Sequence, residues 1–136
     1  MEIYKPEQDI TVLCVTATSF PAGITAAHEA LHAKLDPVET RRFFGISRPE
    51  QDRGIIYKAA AEELYEGEAE KYNCERFVIR KGNYISIVIH DYMKDLQSIS
   101  NVFNQLTNYP GIDPEGYCIE DYISQKDVRC MIKLAE

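Results

Sequence analysis

Asp9-Ile10-Thr11-Val12-Leu13-Cys14-Val15-Thr16-Ala17-Thr18-Ser19 runs straight into Phe20-Pro21-Ala22-Gly23, and this junction decides the fold class. The first stretch is rich in β-branched residues and reads as a strand. Pro21 suits the first turn of a helix that should run to about Leu35, where Asp36-Pro37 ends it. Working outward, Arg42-Phe43-Phe44-Gly45-Ile46-Ser47 reads as a second strand and Arg48 to Gly54 as a turn. Ile55 to Ala61 continues as a third strand or opens a helix, because Ala and Glu favour helix there. Residues 66 to 74 read as a loop.

The same order of parts returns in the second half. Arg76-Phe77-Val78-Ile79-Arg80 and Tyr84 to His90 are strands around a turn at Lys81-Gly82-Asn83. A helix follows from about Leu96 to Leu106, with Leu96, Ile99, Val102, Phe103 and Leu106 on one stripe. Tyr117 to Ile123 and Val128 to Leu134 close the chain as a hairpin. The expectation is an α+β fold in one domain, 1–136, built from two strand–helix–strand–strand modules, about 8–65 and 75–135, in a pseudo-two-fold arrangement. The sheet should be antiparallel and curved, with both helices on one face and a ligand groove on the other. Ile24, Ala27, Leu31 and Leu35 should form the core stripe of the first helix.

The chain has 136 residues, enough to bury a core without staples, and 45% hydrophobic against 27% charged residues marks a globular chain rather than a disordered one. The net charge is −7 and no basic run occurs, so direct nucleic-acid binding is not expected. Nothing resembles a signal peptide, and no stretch approaches the roughly 20 apolar residues of a membrane span. The expected compartment is the cytoplasm. Cys14, Cys74, Cys118 and Cys130 have no paired or metal-like spacing and read as reduced thiols. Nine tyrosines and five phenylalanines, with no tryptophan, make up the aromatic content.

Three stretches carry candidate chemistry. His28-Glu29-Ala30-Leu31-His32 is a literal His-Glu-x-x-His, the spacing that sets two imidazoles one helical turn apart for zinc. Glu29 falls on the solvent side of the wheel, and Leu35 and Val38 stand where the metzincin extension needs Gly and His. The expectation is therefore no metal and no cofactor, with two histidines at a core edge. Glu62-Glu63-Leu64-Tyr65-Glu66-Gly67-Glu68 reads as a solvated element end. Glu120 differs: on Ile119-Glu120-Asp121-Tyr122-Ile123 it shares a face with Tyr122, while Ile119, Asp121 and Ile123 share the other. A carboxylate near tyrosine rings can pair with a cation or act as a general base.

Phe44-Gly45-Ile46-Ser47-Arg48-Pro49, the Lys81-Gly82-Asn83-Tyr84 turn with its strand to His90, and Gly116 to Ile123 together resemble the GyrI-like small-molecule-binding domains. These are also the effector-binding domains of AraC- and MerR-type transcription regulators. The resemblance spans nearly the whole chain and implies a pair of strand–helix–strand–strand modules with lipophilic, often cationic, compounds bound between them. It implies Glu120 as the ligand carboxylate and Tyr122 as a groove aromatic, and Tyr84, Tyr57 and Phe44 complete the expected ligand-binding set. Asp91-Tyr92-Met93 stands where many relatives carry a glycine, and an aromatic cage here must be built from Tyr and Phe. No helix-turn-helix segment precedes the first strand, so the expected form is a stand-alone multidrug-type sensor with an amphipathic or cationic ligand and no catalytic residue. Two alternatives are a hydrolase of reactive small molecules using the groove glutamate and a protein-interaction module of the gyrase-inhibitor type.

Overall fold

The structure, a computed structural model, describes residues 1–38, 40–50 and 54–135; the centre of the expected Arg48 to Gly54 turn lies outside them. The elements in order are β1 (Glu2–Tyr4), β2 (Ile10–Thr16), α1 (Ile24–Lys34), β3 (Phe43–Glu50), β4 (Gly54–Glu62), α2 (Glu68–Lys71), β5 (Glu75–Ile79), β6 (Tyr84–Ile89), α3 (Gln97–Leu106), β7 (Cys118–Tyr122) and β8 (Val128–Lys133). A 3-10 turn, Tyr92–Lys94, joins β6 to α3. The eight strands form one curled antiparallel sheet in the order β1-β6-β8-β7-β3-β4-β2-β5. The fold is α+β, as expected.

Ile55 to Ala61 is strand, not helix, and its run of alanines has a packing reason. Ala59 and Ala61 sit under Ala27 and Leu31 of α1, while Ala60 faces Phe44 and Ile46 on the other side. Small side chains on both faces let layers approach closely there. The register sorts the strands by parity. Leu13, Ala59, Ala61, Phe43, Tyr122 and Val128 follow one another across neighbouring strands on one face. On that face Tyr57 and Leu13 pack with α1, and Ile85, Val128, Cys130 and Ile132 pack with Leu106 of α3. The other face carries Val12, Cys14, Phe44, Ile46, Tyr84, Ile119 and Met131, closed over by Tyr4, Phe77 and Tyr117.

Four expectations change. β1 was not anticipated: three residues at the terminus form a strand only because β6 pairs with them. α1 begins at Ile24, three residues beyond Pro21. Leu96 precedes α3 and is 60% exposed, so the apolar stripe starts at Ile99. Residues 66 to 74 contain α2, and Glu68 is not solvated. It receives both arms of the Arg41 guanidinium at 2.9 Å, with each side chain 2% exposed, and accepts the Leu64 N–H. The Arg41 hydrogen bonds first, then the Leu64 N–H and the Arg41 charge, hold the Glu68 carboxyl below the usual carboxylate range despite burial.

Candidate functional site

Glu120 is paired with Gly45 on β3 and Cys130 on β8, so it stands at the join between the sheet's two halves. The Tyr122 hydroxyl donates to Glu120 Oε1 at 2.5 Å. Tyr57 Oη lies 3.2 Å from Tyr122 Oη and 2.8 Å from His28 Nε2. Because Tyr122 uses its proton on the carboxylate, Tyr57 donates to Tyr122 and His28 Nε2–H donates to Tyr57. The result is a directed chain, His28 to Tyr57 to Tyr122 to Glu120, from helix α1 across three strands. Gly45 makes room for it, since a Cβ there would lie 2.1 Å from Tyr57 Oη. A glycine inside a strand often marks such a close approach.

Burial dominates the electrostatics. Desolvation pushes the Glu120 carboxyl above its ordinary range, and the Tyr122 hydrogen bond offsets this in part. His28 is pushed down to about 4 by burial and, secondarily, by His32. Tyr57, Tyr122 and Tyr92 are all pushed up, by burial first and the Glu120 charge second. Burial raises the Cys118 thiol to about 11 and Cys130 to about 12, again with Glu120 as the second cause. The rings of His28 and Tyr92 lie 5.7 and 5.9 Å from Tyr122, and Phe20 lies 6.2 Å from Tyr57. Among the described residues, no lysine or arginine is ion-paired with Glu120. The site is thus a half-buried, partly desolvated carboxyl with aromatic rings and thiols beside it.

The structure brings Glu120, Tyr122 and Tyr57 together and leaves Phe44 and Tyr84 apart from them. Phe44 is 0% and Tyr84 2% exposed, and both belong to the core of the opposite face, where the Tyr84 hydroxyl donates to the Arg80 carbonyl. That face is filled by its own side chains, so it offers Glu120 no groove; the carboxyl lies instead on the face that α1 covers. Two open clefts, of about 840 Å³ and 380 Å³, lie elsewhere, beside Arg42 and Arg76 and beside Arg48 and Lys58. Asp121, one residue on, points the other way and accepts from Arg42 and Arg129, both at 3.2 Å.

In the His-Glu-x-x-His stretch, His28 bonds to Tyr57, His32 stacks on Phe43 at 4.4 Å, and Glu29 is exposed. No group of three or more potential metal ligands occurs among the described residues. The sequence placed His28 at a core edge without its link to Tyr57, and showed Tyr92 only as part of the turn after His90, not as a ring of the site. The available signal was Gly45, an isolated glycine in a strand. Among the described residues no helix is long and apolar enough to cross a membrane.

No family model and no curated protein matches the sequence. Among solved structures, the fold is similar to an integron cassette protein from the mobile metagenome of Vibrio cholerae. The TM-score is 0.70 at 17% identity, covering 98% of this chain and 94% of that one. At that identity the likeness concerns the fold.

Proposed function

We propose that this chain is a small-molecule-binding domain of the GyrI-like kind, and that its ligand is a lipophilic cation seated against Glu120. One observation carries the reading: a half-buried, desolvated carboxyl that accepts a tyrosine's hydrogen bond and has no cationic partner among the described residues. Removing a carboxylate from water is costly unless a positive charge compensates it. A cationic ligand supplies that charge, and the faces of Tyr57, Tyr122 and Tyr92 supply cation–π attraction. Phe20, 40% exposed, and Tyr92 edge the site and are the rings a ligand would displace. An effector-sensing role in transcription of the AraC or MerR type would follow from the resemblance.

The strand order supports a two-module origin as part of this reading. Exchanging β1 with β5, β2 with β6, β3 with β7 and β4 with β8 turns the order into its own reverse. Under that relation α1 corresponds to α3, and Glu120 lies on β7 where it pairs with β3, at the join of the two halves.

The test uses 1-methylquinolinium, a flat cation, against 1-methylnaphthalene, its neutral counterpart in shape. The cation should bind the wild type by calorimetry, and Glu120→Gln should weaken it by about 1–3 kcal/mol, the range of a charge-assisted hydrogen bond. The neutral compound should be affected much less. Equal affinity of both proteins for the cation would remove Glu120 from the site. The raised carboxyl also suits a general base acting on water, the hydrolase reading. Under that reading Glu120→Gln abolishes turnover of a reactive ester or epoxide while binding is largely kept.

A further inference from the structure

We propose that His28 and Tyr57 are positioning residues that set the ionisation of Glu120 through the hydrogen-bonded chain, although neither touches the carboxyl. The inference deepens the reading of Glu120 as the ligand's anchor, but the chain can be tested without a ligand.

Three links carry it: His28 Nε2 to Tyr57 Oη at 2.8 Å, Tyr57 Oη to Tyr122 Oη at 3.2 Å, and Tyr122 Oη to Glu120 Oε1 at 2.5 Å. Each hydroxyl both accepts and donates, so every donor points toward the carboxyl when His28 carries its proton on Nε2. Hydrogen bonds in series polarise one another, and in a desolvated setting the effect on a terminal carboxylate is strengthened. Gly45 is part of the device, because a side chain there would occupy the space of the Tyr57 hydroxyl. His28 is half-buried on α1, so the chain links the carboxyl on β7 with the helix that covers it. The groups facing the chain are few. Glu120 interacts with Cys118 and Tyr122 on β7, Cys130 on β8, Tyr57 on β4 and Tyr92 in the 3-10 turn. His28 interacts with His32 on its own helix and with the rings of Tyr57 and Tyr122. The tyrosines and cysteines among these groups are all shifted toward their neutral forms, so a donor aimed at Glu120 acts largely unopposed.

The experiment follows the side-chain carboxyl carbon of Glu120 by NMR in the full chain with labelled glutamate, from about pH 4 to 10, with Glu120→Gln for assignment. Tyr57→Phe keeps the ring but ends the chain; His28→Leu removes the outermost donor. Each should raise the Glu120 midpoint by about half a pH unit, the size of one weakened neutral hydrogen bond. The double variant should move it no further than the larger single change. His28→Gln, whose amide can still donate to Tyr57, should restore the wild-type midpoint, a rescue that a merely structural role would not produce. Wild-type midpoints in Tyr57→Phe and His28→Leu, with a shift only in Tyr122→Phe, would end the chain at Tyr122 and overturn the proposal. So would a wild-type Glu120 signal that does not titrate in this range. If 1-methylquinolinium fails to bind while the midpoints move as stated, the ligand reading falls and the positioning role stands.

Discussion

A methyl group at position 45 would lie 2.1 Å from the Tyr57 hydroxyl oxygen and 2.8 Å from ring carbon Cζ, inside any contact distance. Gly45→Ala should therefore cost about 1–3 kcal/mol in urea unfolding, typical of an overpacked core. Adding Tyr57→Phe should return part of that loss, since it removes the nearest atom. An unchanged midpoint for Gly45→Ala alone would mean Tyr57 does not cross the strand there. Proton uptake gives a second test at this scale. His28 titrates near 4 in the folded chain and near 6.5 in the unfolded one. Between those values the unfolded chain holds the extra proton, so the stability linked to His28 is present above pH 6.5 and is lost as pH falls toward 4. Glu120 acts in the opposite direction: its folded carboxyl is raised, so stability is lost as pH climbs through the raised value. Where the two windows overlap, folding in effect moves a proton from His28 to Glu120 and the slopes cancel. Glu120→Gln should expose the His28 slope, with stability rising by up to about 3 kcal/mol from pH 4 to 6.5. Matching slopes in variant and wild type would show that Glu120 is not raised. Tyr122 and Glu120 were readable from alternation along one strand, but the grouping with Phe44 and Tyr84 was not. Whether residues on different strands share a face depends on register, and register is fixed by long-range pairing.

At the scale of elements, the parts missed by sequence are those whose stability is not local. α2 has four residues, too few to stand by propensity. The buried Arg41–Glu68 pair at its start and the Leu64 N–H on Glu68 anchor it. A pattern of Glu, Gly and Tyr over that stretch carries no sign of an arginine more than 20 residues away. β1 is likewise invisible until β6 offers it partners. Long elements with their own periodicity, β2, β6 and α3, were readable almost to their ends. The α3 stripe makes a graded prediction. Leu106 is fully buried, whereas Leu96 is 60% exposed and outside the helix. Leu106→Ala should cost about 2–5 kcal/mol, the range for emptying a buried leucine site. Leu96→Ala should stay within about 0.5 kcal/mol, as at other surface positions. Equal losses at the two positions would mean that the helix is rotated or begins a turn earlier than described.

Over the whole molecule, the sheet ties the halves together twice beyond their central join. β3 and β7 pair at the centre, while β1 reaches across to β6 and β5 to β2, so each half lends a strand to the other's outer edge. Neither half has a complete sheet by itself. Its edge would open if the other unfolded, exposing β2 or β6 backbone groups and the apolar residues under them. The closing β7–β8 hairpin was accessible from the sequence; the pairing of β2 with β4 and of β6 with β8 past an intervening element, and the exchange of β1 and β5, were not, because they join segments apart in the chain. The consequence is cooperativity. Native-state hydrogen exchange should give the slowest amides of β2 in the first half and β6 in the second the same opening free energy, within about 1 kcal/mol, with both tracking global unfolding in urea. The outer strands β1 and β5, each bonded on one side, should exchange more easily without separating the halves. Two halves that were merely adjacent would behave differently: one set of core amides would open at lower free energy and lower urea dependence than the other. A gap of more than about 2 kcal/mol between β2 and β6 would show that the exchanged strands do not couple the halves, and Glu120 at the join would then sit between two separately opening units.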